Sequence, residues 1–219
     1  MMSKGSQVTL RISEIFHSIQ GESTRAGLPT VFVRLTGCPL RCVWCDTEYA
    51  FSGGTSTAID NVLDQVARFH CRTICVTGGE PLAQPGSLVL LRALCDTGYD
   101  VSLETSGAIV LTGVDDRVSK IMDIKAPGSG EAERNLWENL GHLTARDEIK
   151  LVLDSDADYR WAREVLDTYK LNLICPVLFS PVQGRLDPVQ LANWILRDNL
   201  PVRFQLQLHK LLWGSERGK

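Results

Sequence analysis

Residues 37–47 read GCPLRCVWCDT and place Cys38, Cys42 and Cys45 at C-x3-C-x2-C spacing. A cubane iron–sulfur cluster has four irons and is held by cysteine thiolates. Three cysteines leave one iron open to another ligand, which is the arrangement that a reaction centre needs. A structural zinc site is normally closed by a fourth Cys or His, but the nearest downstream candidate, His70, lies 25 residues beyond Cys45. The spacing therefore predicts a [4Fe–4S] cluster, with zinc or unliganded thiols as the alternatives.

This spacing resembles the cluster motif of the radical S-adenosylmethionine (SAM) enzymes. The resemblance implies that SAM occupies the open iron and is cleaved to a 5′-deoxyadenosyl radical. A second motif, Thr77-Gly78-Gly79-Glu80-Pro81, follows a short apolar strand. Glycines at a strand end let the backbone approach a ligand closely. The motif resembles the GGEP segment of the same family, which implies that Gly79 binds SAM, while Glu80 is either structural or a ligand. The alternative is a plain tight turn.

Strand and helix patterns alternate along the rest of the chain. Strands are predicted at residues 8–16, 30–36, 73–77, 100–105, 120–125, 148–153, 173–179 and 202–206. Helices are predicted at residues 57–69, 85–96, 131–140, 162–169 and 188–196. This alternation favours right-handed crossovers and a parallel sheet. We expect one domain over residues 1–219, an α/β open partial (β/α)6 barrel of radical SAM type with some abbreviated helices.

Composition favours a cytoplasmic enzyme. The net charge of −3 gives no sign of nucleic-acid binding. No apolar run reaches the ~18 residues of a membrane span, and residues 1–5 have no stretch of signal-peptide type. Without a secretion signal, the seven cysteines indicate a reducing compartment. Four of them lie outside the motif and are predicted to be core residues: Cys71, Cys75, Cys95 and Cys175.

Trp44-Cys45-Asp46-Thr47 resembles a narrower family, the 7-carboxy-7-deazaguanine synthases of queuosine and deazapurine biosynthesis. The resemblance implies that Trp44, Cys45 and Asp46 line the SAM site and that the Thr47 hydroxyl is a Mg²⁺ ligand. A hard oxygen ligand suits Mg²⁺, which takes few protein ligands. The alternative is a turn-capping Asp–Thr pair beside a packing tryptophan.

The same family carries a QGE triplet before the cysteines, and here Ile19-Gln20-Gly21-Glu22 occupies that place. The resemblance implies that these residues and Thr77 bind a pterin-like substrate. Arg34 interrupts an apolar strand, where a charge is costly unless it is paired. The resemblance implies that its guanidinium binds the substrate carboxylate. The alternatives are a polar loop at the triplet and an internal ion pair between Arg34 and Glu104.

Two later segments correspond by order to SAM-contacting segments of the family. They are Asp123-Ile124-Lys125 and Ser180-Pro181-Val182-Gln183. The second departs from the family pattern, because Ser180 stands where a Gln is more common. Some members also end in a proline whose carboxylate meets the substrate, a contact that does not carry over to Lys219. The histidines are expected to be structural, although His209-Lys210 could reach a dimer interface.

The resemblance therefore implies a radical SAM lyase that converts 6-carboxy-5,6,7,8-tetrahydropterin to 7-carboxy-7-deazaguanine with loss of ammonia. The expected partners are this small-molecule substrate, an electron donor such as flavodoxin and a second copy in a homodimer. One alternative is an activating enzyme for a glycyl-radical protein. The other is a non-catalytic iron–sulfur or zinc protein.

Overall fold

A central sheet organises the computed structural model, which describes residues 8–214 and 216–219. Residues 1–5, for which no signal peptide is expected, lie outside the described residues. The strands of the described part are β1 Thr9–Ile19, β2 Pro29–Leu35, β3 Thr55–Ala58, β4 Thr73–Gly78, β5 Asp100–Thr105, β6 Ser119–Lys125, β7 Glu148–Leu153, β8 Val177–Pro181 and β9 Arg203–Phe204. Among these residues they form one sheet in the order β3-β1-β2-β4-β5-β6-β7-β8-β9.

The sheet is parallel from β2 through β4, β5, β6, β7 and β8 to the short β9. Antiparallel β1 and β3 extend it beyond β2. The two outermost strands, β3 and β9, do not pair with each other in the described part of the chain, so the barrel stays open. The expected open partial barrel with six core strands is therefore confirmed.

The helices cover the outside of the sheet and are short. They are α1 Ile59–Ala67, α2 Gly86–Asp96, α3 Asp156–Thr168, α4 Leu171–Ile174, α5 Pro188–Arg197 and α6 Leu208–Trp213. No helix within residues 8–214 and 216–219 is long and apolar enough to cross a membrane.

The helix predicted at residues 131–140 is wrong, because only 3-10 turns connect β6 to β7. Two asparagines explain the difference. The Asn135 side chain bonds both the N–H and the C=O of Lys125. The Asn139 amide donates to the carbonyls of Gly107 and Ile109. Asparagine side chains that bind backbone groups in this way compete with helix formation.

Smaller differences concern the ends of elements. Residues 55–58 form β3 rather than the start of α1, and residues 171–174 form α4 before β8 begins. Cys175 therefore precedes its strand instead of lying inside it, but it is buried as predicted. Cys75 and Cys95 are also buried, whereas Cys71 is only half-buried.

Alternation along the strands separates the core from the barrel interior. In β2, Val33 and Leu35 are fully buried against the helices, while Phe32 and Arg34 face the interior. Successive side chains of a strand point to opposite faces. In the neighbouring strands the same alternation points polar side chains inward, so polar and charged groups line the barrel interior.

Candidate active site

One cavity of about 690 Å³ opens at the carboxyl ends of the parallel strands, where barrel-type α/β proteins place their sites. The predicted site residues that line it are Ile19, Gln20, Gly21, Glu22, Arg34, Cys38, Cys42, Trp44, Cys45, Asp46, Thr47, Thr77, Gly79, Asp123, Lys125, Val182 and Gln183. The structure thus brings together residues as far apart in the chain as Ile19 and Gln183.

The three motif cysteines lie half-buried on the loop that follows β2. Backbone bonds hold this loop: Cys45 N–H donates to Cys42 O at 3.1 Å, and Val43 N–H donates to Ser129 O at 3.0 Å. Burial raises the pKa of all three thiols, so they stay protonated until metal binding displaces the protons.

The thiol arrangement fits a cubane cluster better than a single ion. In the described part of the chain, no three His, Cys, Asp or Glu side chains converge as the ligands of one metal ion do. A closed zinc site needs such convergence. A cubane does not, because each thiolate binds a different iron. Three thiols on one wall of a cavity that also admits an organic ligand are therefore the donor set for a [4Fe–4S] cluster with one open iron.

The glycine motif presses directly against the cysteine loop. Gly79 N–H donates to Leu35 O at 3.1 Å, and Glu80 N–H donates to Gly37 O at 2.7 Å. A Cβ on Gly79 would lie 2.9 Å from Cys38 Cβ and closer still to the Gly37 carbonyl. Only glycine permits this approach between two ligand-bearing loops.

The Glu80 side chain ties the glycine motif to the end of β5. It is fully buried, and its carboxylate accepts from Leu82 N–H at 3.0 Å, from Ser106 N–H at 2.7 Å and from the Thr105 hydroxyl. A buried carboxylate with this many donors is satisfied by the protein itself.

Asp46 and Thr47 sit where the cysteine loop meets the C-terminal helix. The Thr47 hydroxyl donates to Asp46 Oδ1 at 2.9 Å, and it does not cap the 3-10 turn that follows. The oxygen lone pairs of Thr47 therefore stay available to a cation. Lys210 Nζ lies 2.6 Å from Asp46 Oδ2. Burial would raise the pKa of Asp46, but Lys210 outweighs it and holds that pKa below its usual range.

The QGE triplet is already bonded to the protein. Gln20 accepts from Glu22 N–H at 3.2 Å and donates to Glu104 Oε1 at 3.3 Å. Glu22 forms short contacts with Lys150 and Gln207. Burial would raise the pKa of Glu22, but Lys150 and Gln207 outweigh it, so the pKa is lowered. The triplet therefore presents an ordered, charged surface rather than free side chains.

Arg34 does not pair with Glu104, so that predicted alternative is wrong. Its Nε donates to Glu14 Oε1 at 2.7 Å. Glu104 instead accepts from the Thr77 hydroxyl at 2.8 Å and from Gln20. An internal ion pair does exist at Arg34, but its partner comes from β1.

Three predicted SAM contacts do not line the cavity in the described part of the chain: Ile124, Ser180 and Pro181. Ile124 is 2% exposed and belongs to the hydrophobic core, because its neighbours Asp123 and Lys125 take the inward face. Ser180 and Pro181 are buried within β8. Side-chain contact between these three residues and SAM is therefore not supported.

The prediction missed several residues of the cavity wall. Lys150 lies between Glu22 and Asp123, whose carboxylates outweigh its burial and raise its pKa well above the usual value. A charge inside the apolar strand β7 was the available signal, the same one that marked Arg34. His209 and Lys210 also line this cavity. Nothing local in the sequence indicated that placement.

Comparison with known proteins identifies the class first. Residues 32–127, which contain both the cysteine and glycine motifs, match the family model of the radical SAM superfamily. QueE from Escherichia coli has the same fold, with a TM-score of 0.75 at 23% identity over 92% of this chain and 95% of that chain.

Two curated relatives narrow the class. The 7-carboxy-7-deazaguanine synthase of Chlorobaculum tepidum is 48% identical, covering 96% of this chain and 97% of the relative. That of Koribacter versatilis is 43% identical, covering 94% and 98%. The chain therefore belongs to the 7-carboxy-7-deazaguanine synthase family, the radical SAM lyases of deazapurine biosynthesis.

Membership confirms the expected enzyme class, a radical SAM lyase that uses a [4Fe–4S] cluster and SAM and acts on a small molecule. The relatives match over nearly their whole length. This full-length agreement leaves neither the glycyl-radical activating enzyme nor the non-catalytic metal protein as a supported alternative.

Proposed function

We propose that the chain converts 6-carboxy-5,6,7,8-tetrahydropterin to 7-carboxy-7-deazaguanine and ammonia. The observation that carries this proposal is that Arg34 and the three cysteines line one cavity. A carboxylate held at the guanidinium therefore shares a space with the cluster and SAM. The name of the two relatives supports the same product.

The side chains that keep free donors or acceptors after their internal hydrogen bonds would bind the pterin ring. The Gln20 amide keeps one N–H and one lone pair after bonding Glu22 and Glu104. Glu104 lines the same wall and accepts from Thr77. Amide and carboxylate groups together offer the mixed donors and acceptors that a 2-amino-4-oxo ring edge requires.

The radical chemistry belongs to the cofactors, and the protein binds and orients. When bound, the cluster and SAM supply a carbon-centred radical that takes and returns a substrate hydrogen. Gly79 brings the backbone close to the cysteine loop for the methionine end of SAM, and Trp44 gives that pocket an aromatic wall. Ion pairs of Lys150 with Glu22 and Asp123 keep the charged wall fixed without a free acid or base.

We propose Thr47 as the Mg²⁺ ligand because its hydroxyl donates to Asp46 and so keeps its lone pairs for a cation. Magnesium usually takes one or two protein ligands and completes its shell with substrate and water. A substrate carboxylate in the same cavity is suited to that role.

We propose an electron donor such as flavodoxin and a second copy in a homodimer as partners. The cysteine loop exposes Arg41 and Val43 to solvent. These two residues give such a donor an approach to the cluster.

An anaerobic assay tests the reaction. The reconstituted protein is mixed with the carboxytetrahydropterin, SAM and a reductant, and the deazaguanine and ammonia are quantified. We expect equal amounts of both products and little net consumption of SAM. The Cys42→Ala variant serves as the control without turnover. SAM cleavage with no loss of pterin in the unmodified protein would refute the proposed substrate.

A further inference from the structure

Glu14 and Tyr49 form a unit behind Arg34 that the proposed function does not use. Arg34 Nε and the Tyr49 hydroxyl both donate to Glu14 Oε1, at 2.7 and 2.8 Å. The side chains of Arg34 and Glu14 are 15% and 22% exposed, so solvent screens this ion pair only partly. Three chain segments therefore meet at one carboxylate oxygen.

A β-bulge creates this meeting. Ile12 pairs with Leu35, but Glu14 pairs with Arg34, so the register shifts by one residue between Ile12 and Glu14. Without the shift, Glu14 would lie opposite Val33. Directly opposed residues of an antiparallel pair share a face, and a bulge re-aims side chains near active sites. The irregularity thus places the Glu14 carboxylate on the face that carries Arg34.

Aromatic rings restrict the guanidinium further. Its carbon lies 5.7 Å from the Phe16 ring centroid and 5.8 Å from that of Tyr49, within the roughly 6 Å range of cation–π attraction. Burial raises the pKa of Tyr49 to about 12, with a further contribution from the bond to Glu14. The Tyr49 hydroxyl therefore remains a donor over the whole physiological pH range.

The terminal nitrogens of Arg34 form no hydrogen bond within the described residues. Only Nε donates a hydrogen bond within the part of the chain that the structure describes. Arg34 also lines the cavity. A guanidinium binds a carboxylate best through two parallel N–H groups. Glu14 holds the Nε atom of Arg34, and the two aromatic rings hold the faces of its guanidinium. The two terminal nitrogens are therefore pre-organised to bind a carboxylate.

We infer that Glu14 and Tyr49 are positioning residues for Arg34 and that they make the site selective for carboxylated pterins. This inference rests on the proposed function. The competing explanation is that the Glu14–Arg34 pair only stabilises the junction of β1 and β2.

The test measures dissociation constants of two probes on the cluster-loaded protein: carboxytetrahydropterin and tetrahydropterin without the carboxylate. The variants are Glu14→Gln, Tyr49→Phe and Arg34→Met, with Glu48→Gln as the matched control on an exposed carboxylate of the neighbouring turn. We expect Arg34→Met and Glu14→Gln each to weaken the carboxylated probe by about tenfold or more, as for a lost charge-assisted bond. The other probe should change little. Tyr49→Phe should act in the same direction but more weakly.

The double variant separates positioning from direct contact. If Glu14 acts through Arg34, then Glu14→Gln should have no further effect on either probe in the Arg34→Met background. Selective loss in Arg34→Met alone would overturn the inference while the carboxylate clamp stands. Equal loss of both probes in Glu14→Gln and Tyr49→Phe, together with a lower Tm, would show a structural pair. If the unmodified protein binds neither probe, the proposed function and this inference both fail.

Discussion

A methyl group at Gly79 should separate two loops that have to touch for the cofactors to bind. In Gly79→Ala, the new Cβ would lie 2.7 Å from the Gly37 carbonyl carbon and 2.9 Å from Cys38 Cβ. Carbon atoms pack best at about 3.5–4.0 Å, so a shift approaching 1 Å is needed. The bond from Glu80 N–H to Gly37 O resists that shift.

Overpacking of this kind costs about 1–3 kcal/mol. For a chain of this length, at about 2–4 °C per kcal/mol, the Tm should fall by roughly 2–12 °C. Because the displaced atoms belong to the cysteine loop, iron and sulfide content after anaerobic reconstitution should fall as well, and SAM binding should fall further. Calorimetry, iron analysis and equilibrium binding of SAM measure these three effects.

Gly141→Ala is the matched control. Gly141 lies on a surface turn, and nothing stands within 4 Å of a Cβ added there. The free energy of unfolding of the Gly141→Ala variant should change by no more than about 0.5 kcal/mol, and the variant should bind the full amount of cluster. If Gly79→Ala keeps the Tm, iron content and SAM affinity of the unmodified protein, the close approach of the two loops has no role in cofactor binding.

Three further predictions follow from single side chains. Cys38→Ala should abolish SAM cleavage and lower the iron content. Cys175→Ala removes a buried core thiol and should keep the cluster. Equal iron content in the two variants would contradict the ligand assignment. Thr47→Ala should form the cluster normally but lose its rate response to added Mg²⁺; a response like that of the unmodified protein would leave Thr47 without a metal role. Glu22 has a pKa lowered from the ordinary 4.5, so its ion pair with Lys150 stabilises the fold above that pH, and the free energy of unfolding should fall as acid protonates it. In the Glu22→Gln variant, the free energy of unfolding measured by urea titration should fall less steeply as the pH is lowered. The same pH dependence as in the unmodified protein would show that the ion pair contributes nothing to stability.

Local motifs predicted the cofactor side of the site because each ligand group lies within one short segment. The three cysteines span one loop, and the glycines follow one strand. Strand alternation then accounts for most of the inward-facing residues, since Asp123 and Lys125 fall on one face of β6. Ile124 lies between them and does not line the cavity, because neighbouring strand residues point to opposite faces.

The partners of those residues depend on register, and register is set by the whole sheet. The sequence offers Glu104 as the ion-pair partner of Arg34, the alternative to a carboxylate clamp. The actual partner, Glu14, reaches Arg34 through a one-residue shift in β1 that no local pattern signals. The contact between Lys210 and Asp46 likewise joins segments far apart in the sequence.

The helix error at residues 131–140 has a related cause. The asparagines of this segment find hydrogen-bond partners elsewhere in the fold, and those partners do not show in the local sequence. Asn139 satisfies carbonyls of the loop after β5, and Leu136 N–H donates to Gly107 O at 3.2 Å. Those bonds stabilise the connection of 3-10 turns because the loop after β5 lies beside it, and only the assembled sheet brings the two together. In this short connection the Ser129 carbonyl accepts a hydrogen bond from Val43 N–H of the cysteine loop. A full helix at residues 131–140 would give up the Asn135 and Asn139 bonds that tie this segment to the sheet, and with them the short path from β6 to the cluster loop.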